Sequence, residues 1–123
     1  MRVLLVDDEK KFALMLAKRL ELRGIEAMFV YSGAEAIEIA RKGERFDVAV
    51  LDVKMPGIGG IELSHELGNL DPDLKFVFLT GHGSTTDFEA GATEAVLYLA
   101  KPLKIDQLVE TLHKLVKHNS RQT

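Results

Sequence analysis

The sequence predicts an α/β domain, a three-layer α/β/α sandwich built on a doubly wound, five-stranded parallel sheet. Three observations predict it. Short continuous apolar runs alternate with stretches of helical periodicity from one end of the chain to the other. The apolar runs carry hydrophobic residues at successive positions, not only at alternate ones, as strands covered on both faces require. The length, 123 residues with 46% hydrophobic and 28% charged side chains, suits one ordinary domain core and no second one.

Val3 to Val6 is the first buried strand. From Glu9 to Arg23 the apolar residues Phe12, Ala13, Leu16 and Leu20 fall on one helical face, and Gly24 supplies a stop. Ile25 to Val30 reads as the second strand. Ser32 is placed to cap a helix that runs to Lys42 and ends at Gly43. Phe46 to Leu51 is the most apolar and hence the central strand. A Pro-Gly loop over Met55 to Gly59 leads to a short helix over Gly60 to Leu67, and Asp71-Pro72-Asp73 marks a turn. Phe76 to Leu79 is the fourth strand and Ala95 to Leu99 the fifth. Between them lies a short or irregular fourth helix, because Gly81, Gly83 and Gly91 with Thr85 and Thr86 are poor helix material. Ile105, Leu108, Val109, Leu112, Leu115 and Val116 form the apolar stripe of a final helix. The domain is expected over residues 1–118, with 119–123 a polar tail or the start of a linker.

Composition narrows the function classes. A formal net charge of −3 offers no footprint for direct nucleic-acid binding or for an anionic membrane. The chain has no cysteine, which removes disulfides and thiolate metal sites. The apolar start is interrupted by Asp7 and Asp8, too early for a signal peptide, and no run approaches the length that spans a bilayer. A cytoplasmic location is expected.

Ligands of open parallel sheets bind beyond the carboxyl ends of the strands. Those ends carry Asp7-Asp8, Asp52, Thr80-Gly81 and Lys101-Pro102. Taken singly, each has an ordinary explanation: Asp8 as a helix cap, Asp52 as a turn residue, Thr80 as a β–α turn residue, Lys101 as a solvated surface lysine. Taken together they assemble one chemistry. Three carboxylates at one edge repel, and a hard divalent cation such as Mg²⁺ relieves the repulsion through oxygen ligands. One carboxylate then serves as nucleophile towards a phosphoryl group, while an ammonium and a hydroxyl meet the transferred charge.

The segments "VLLVDDE" (Val3 to Glu9), "DVAVLDVKMPGIGGIEL" (Asp47 to Leu63), "FLTGHG" (Phe78 to Gly83) and "YLAKP" (Tyr98 to Pro102) resemble the receiver domains of two-component response regulators. The resemblance implies a flavodoxin-like sheet of strand order 2-1-3-4-5. It implies that Asp52 is the phosphoacceptor, and that Asp7, Asp8, Asp52 and the backbone carbonyl of Lys54 hold Mg²⁺. By the same resemblance Lys101 pairs with the phosphoryl group, Thr80 is the switch hydroxyl and Tyr98 the aromatic switch residue. Lys54 and His82, two residues beyond Asp52 and Thr80, flank the path of the hydrolytic water. The implied partners are a histidine kinase or phosphotransfer protein and a downstream protein or fused output domain. A homodimer through the fourth helix, fifth strand and fifth helix is also implied. The implied protein is not an enzyme beyond its own phosphorylation and dephosphorylation.

The pattern departs from the family where Glu94-Ala95 stands in place of a Gly-Ala pair before the fifth strand. Two other readings remain at this stage. A phosphohydrolase of the haloacid dehalogenase type uses similar residues, but its nucleophile comes first and is followed two residues later by an Asp. Here the acidic pair comes first and Lys54 holds that position. An unphosphorylated interaction module would keep the fold without the switch. His65, His113 and His118 show no metal-ligand spacing and read as surface residues.

Overall fold

The computed structural model describes residues 1–81, 96–101 and 103–120. The irregular helix expected over 81–94, His82 and residues 121–123 lie outside the described residues, apart from Gly81. So does part of the face on which the resemblance places a homodimer.

The elements follow in the order β1 (Arg2–Val6), α1 (Lys10–Leu22), β2 (Glu26–Val30), α2 (Gly33–Arg41), β3 (Val48–Asp52), α3 (Gly60–Leu70), β4 (Lys75–Thr80), β5 (Val96–Ala100) and α4 (Ile105–Ser120). The five strands form one sheet in the order β2-β1-β3-β4-β5, and each neighbouring pair is parallel. This is the predicted order, with β1 and β3 adjacent and the chain winding outward from them in both directions.

Alternate residues of each strand feed two cores. Val3, Leu5, Val48, Val50, Val77 and Leu79 pack beneath α1 and α4, against Leu16, Leu20, Leu108 and Leu112. Leu4, Val6, Ala49, Leu51, Phe76 and Phe78 pack beneath α2 and α3, against Ala36, Leu63 and Leu67. The two sets have opposite parity, as the strand period of two demands. All five residues of β3 are buried, as expected of the middle strand.

The helix signals act as expected at α2, where the Ser32 hydroxyl accepts from the Glu35 amide at 3.2 Å. Helix α3 is longer than Gly60 to Leu67, continuing to Leu70 before Asp71-Pro72 ends it. Gly68 and Asn69, weak helix formers, are carried by the turn because Leu67 is anchored in the core. Phe46 precedes β3 and is buried in the α2–α3 core instead of extending the strand.

Candidate functional site

Strand parity decides which side chains meet. Asp52 continues the series Val48, Val50 and so points to the α1–α4 side. Asp7 follows Leu5, and Lys101 follows Leu99, on the same side. The adjacent strands β1 and β3, and β5 beyond β4, therefore deliver an acid, an acid and a base to one side of the sheet edge.

Asp7 is 3% exposed and Asp52 6%. The Oδ1 of Asp7 accepts from the Glu9 amide at 2.9 Å, which turns the chain into α1. The Oδ1 of Asp52 accepts from the Lys54 amide at 3.2 Å. Beyond Asp52 the loop is pinned on both sides, Val53 N–H donating to the Leu79 carbonyl at 2.9 Å and Gly60 N–H to the Val53 carbonyl at 3.0 Å. Gly60 is required there, since a Cβ at that position would collide with the Asp52 carbonyl.

Lys101 is set by its main chain, whose N–H donates to the Thr80 carbonyl at 2.7 Å. Its ammonium donates to Asp7 Oδ2 at 3.0 Å and to Glu9 Oε1 at 3.1 Å. It stands 3.8 Å from Asp52 Oδ2 and 4.5 Å from the centre of the Phe12 ring. Among the described residues, Asp7, Asp8 and Asp52 form one acidic group whose offered oxygens all lie within 4.8 Å of one another. Asp8, Glu9, Asp52, Lys54, Gly81 and Lys101 line a cleft of about 370 Å³, while Asp7 is buried.

The charges explain the titration of the site. Burial pushes the Asp52 carboxyl up to about 6, the Asp7 charge adds to the rise, and Lys101 and the Lys54 amide oppose it. Burial works against the Lys101 ammonium, but the hydrogen bonds it donates to Asp7 and Glu9 outweigh it and hold its pKa above the usual lysine value. One ammonium thus faces the three carboxylates of Asp7, Glu9 and Asp52. The clustered oxygens, on one exposed and two buried carboxylates, are the donor set that fits a hard divalent cation such as Mg²⁺.

Thr80 and Tyr98 occupy a different place. Thr80 ends β4 on the parity of Phe78, and Tyr98 stands opposite Phe78 in the β4–β5 register. The Phe78 and Tyr98 rings stack with centroids 5.1 Å apart. Thr80 and Tyr98 therefore share the α2–α3 side, and among the described residues no hydrogen bond joins the Thr80 hydroxyl to Asp52 or Lys101. Lys54 is exposed at the mouth of the cleft. His65 and His113 are exposed on α3 and α4, outside the cleft.

Sequence reasoning passed over Glu9 and Phe12 as site residues. They start α1 and contact Lys101 from a distance of roughly ninety positions along the chain, which helical periodicity does not encode. The signal available was the third consecutive acid at the end of β1.

Comparison with known proteins places this geometry in a family. The model of the response regulator receiver domain matches residues 3–113. A response regulator receiver protein of Anaeromyxobacter sp. (strain Fw109-5) is 38% identical over 110 residues, which cover 89% of this chain and 46% of that protein. The response regulator receiver protein CpdR of Brucella abortus is 32% identical over 116 residues, covering 94% of this chain and 96% of that one. The chain spans about half the length of several curated relatives it matches. Among solved structures, a response regulator receiver domain protein from Clostridium thermocellum superposes with a TM-score of 0.89 at 25% identity, covering 99% of this chain and 98% of that one. With the acidic corner, the strand order and the family model in agreement, the chain belongs to the response regulator receiver domains of two-component signalling.

Proposed function

We propose that the chain is a phosphorylation-controlled switch in which Asp52 accepts a phosphoryl group from a histidine kinase or a phosphotransfer protein. The observation that carries the reading is the placement of Asp52, buried at the end of β3 with the Asp7 and Asp8 oxygens within 4.8 Å and the Lys101 ammonium at 3.8 Å.

Asp7, Asp8, Asp52 and the Lys54 carbonyl hold Mg²⁺ in this reading, and the ion when bound neutralises charge on the phosphoryl oxygens. A carboxylate oxygen of Asp52 attacks phosphorus, the new P–O bond forms as the P–N bond to the donor histidine breaks, and the imidazole nitrogen takes up a proton. The Lys101 ammonium moves the short distance from Asp7 and Glu9 to a phosphoryl oxygen. Thr80 donates its hydroxyl to another. Its shift towards the site vacates space on the α2–α3 side, where Tyr98 lies, and the Tyr98 ring turns inward. Water later attacks phosphorus, releases inorganic phosphate and restores the carboxylate.

Lys54, at the mouth of the cleft, covers the phosphoryl group and slows that last step. The output is a downstream protein or a fused output domain, and the setting is cytoplasmic. No described helix is long and apolar enough to cross a membrane.

The test is intact mass after incubation with a small phosphodonor. One added phosphoryl group is expected with Mg²⁺, and none with EDTA or in Asp52→Asn. An adduct of equal yield in Asp52→Asn defeats the assignment. For Lys54→Ala the half-life of the adduct is expected to fall several-fold, and an unchanged half-life removes Lys54 from that role.

A further inference from the structure

Two cations compete for the same oxygens at the acidic corner. The Oδ1 atoms of Asp7 and Asp52 each accept a backbone amide, from Glu9 at 2.9 Å and from Lys54 at 3.2 Å. The Oδ2 atoms are the ones turned to Lys101, whose ammonium lies 3.0 Å from that of Asp7 and 3.8 Å from that of Asp52. A divalent ion drawn to this group therefore meets an ammonium already seated on it. The Lys101 side chain is only 17% exposed, so an ammonium pushed off the acids without another acceptor would lose its hydrogen bonds in a place that water reaches poorly.

Glu9 is that other acceptor. Its Oε1 accepts from the Lys101 ammonium at 3.1 Å, and the Phe12 ring, one turn further along α1, faces the same ammonium at 4.5 Å. Among the described residues that pair with Lys101, Glu9 is the one carboxylate outside the Asp7–Asp8–Asp52 group. Glu9 stands at the N-cap position of α1, where a short side chain would turn back onto the helix amides, yet its carboxylate makes no cap hydrogen bond. Its longer side chain spans the cleft to Lys101 instead. With 64% of that side chain exposed, the pair contributes little to folding, and its consequence is where the ammonium rests.

We propose that Glu9 is a positioning residue, holding the Lys101 ammonium on the Asp7 side of the cleft and off Asp52, so that the acidic group takes up Mg²⁺ without stranding the lysine. The inference rests on the reading of that group as the Mg²⁺ site. Without Glu9 the ammonium keeps only Asp7 and Asp52 as carboxylate partners, closes on Asp52 and competes with the ion for both Oδ2 atoms.

Isothermal titration calorimetry of the unphosphorylated, metal-free chain with MgCl₂ at pH 7.5 tests it. The titration is run in about 0.3 M KCl, where attraction through solvent is damped beyond roughly 6 Å. Glu9→Ala is expected to raise the Kd for Mg²⁺ about threefold to tenfold. Its melting temperature in EDTA is expected to stay within about 3 °C of wild type. Glu9→Gln keeps an acceptor oxygen at the same reach and is expected to recover about half of the loss on a logarithmic scale. In a Lys101→Met background, Glu9→Ala is expected to change the Kd by less than about 1.5-fold, because no ammonium is left to place. Equal weakening by Glu9→Ala in both backgrounds, or equal weakening by Glu9→Ala and Glu9→Gln, would make Glu9 one more charge acting through space and overturn the inference. A wild type that binds no Mg²⁺ overturns the metal reading of the corner and this inference with it. Binding that is weakened by Asp52→Asn and indifferent to Glu9→Ala leaves the metal reading standing and overturns this inference alone.

Discussion

At the scale of single residues, the site is a balance between one ammonium and several carboxylates. Asp52 has its pKa raised to about 6 when folded, against 3.8 for the free side chain. A carboxyl that binds its proton more tightly in the folded state contributes stability below the unfolded pKa and loses it as pH rises through the folded one. Ionised Asp52 therefore strains the metal-free protein above about pH 6. Asp52→Asn removes the strain. In EDTA at pH 7.5 it is expected to be more stable than wild type by on the order of 1–3 kcal/mol, with the difference shrinking to nothing near pH 4. Urea unfolding across that pH range measures this, and added Mg²⁺ is expected to narrow the gap by stabilising wild type. Lys101→Met acts in the opposite direction. It leaves Asp7, Asp52 and Glu9 without their cation and is expected to cost about 1–3 kcal/mol in EDTA, most of it regained with Mg²⁺. Equal losses with and without Mg²⁺ would show that Lys101 acts through packing on Phe12 instead of through charge. Asp7, Asp8, Asp52 and Lys101 were all legible in the sequence because each sits at a strand end. Glu9 and Phe12 were not, because the reach of a lysine side chain across the sheet edge leaves no trace in local pattern.

At the scale of elements, the loop between β3 and α3 fixes Asp52, the proposed acceptor. Gly60 starts α3 against the Asp52 carbonyl, and a methyl group there must push strand and helix apart. Gly60→Ala is expected to destabilise by roughly 1–3 kcal/mol and to slow adduct formation, since the displaced backbone is that of Asp52, the proposed nucleophile. Gly68 in the same helix is the control. A Cβ at that position meets only the Phe76 ring, at an ordinary 3.9 Å. Gly68→Ala is expected to be neutral or stabilising by about 0.5–1 kcal/mol, with phosphorylation unchanged. Thermal unfolding of both variants beside the mass assay distinguishes a local steric effect from general intolerance of substitution in α3. The boundaries of the elements were less legible than their identities. Phe46 looks like strand by composition, yet its side chain is used under α2 and α3, and the last turn of α3 forms over poor helix residues because Leu67 is held in the core. In both cases tertiary packing overrides local preference.

At the scale of the whole molecule, the strand order brings together groups separated by up to 94 positions along the chain. The alternation of apolar runs with helical stretches made the parallel sheet legible, and the rule that such sheets bind beyond their carboxyl ends made the functional edge legible too. The division of labour between the two faces was not. Asp7, Asp52 and Lys101 point to the α1–α4 side, and Thr80 and Tyr98 to the α2–α3 side, so the proposed switch would carry a change at the acidic corner to the opposite face through the ends of β4 and β5. The account rests on an acyl phosphate at one position. Borohydride reduces an aspartyl phosphate to homoserine and leaves free carboxylates intact, so the direct measurement is peptide mapping of the phosphorylated, borohydride-treated chain. The account predicts homoserine at position 52 alone, dependent on Mg²⁺ during phosphorylation. Homoserine at position 7 or 8, or a phosphoryl adduct that yields none, would contradict it.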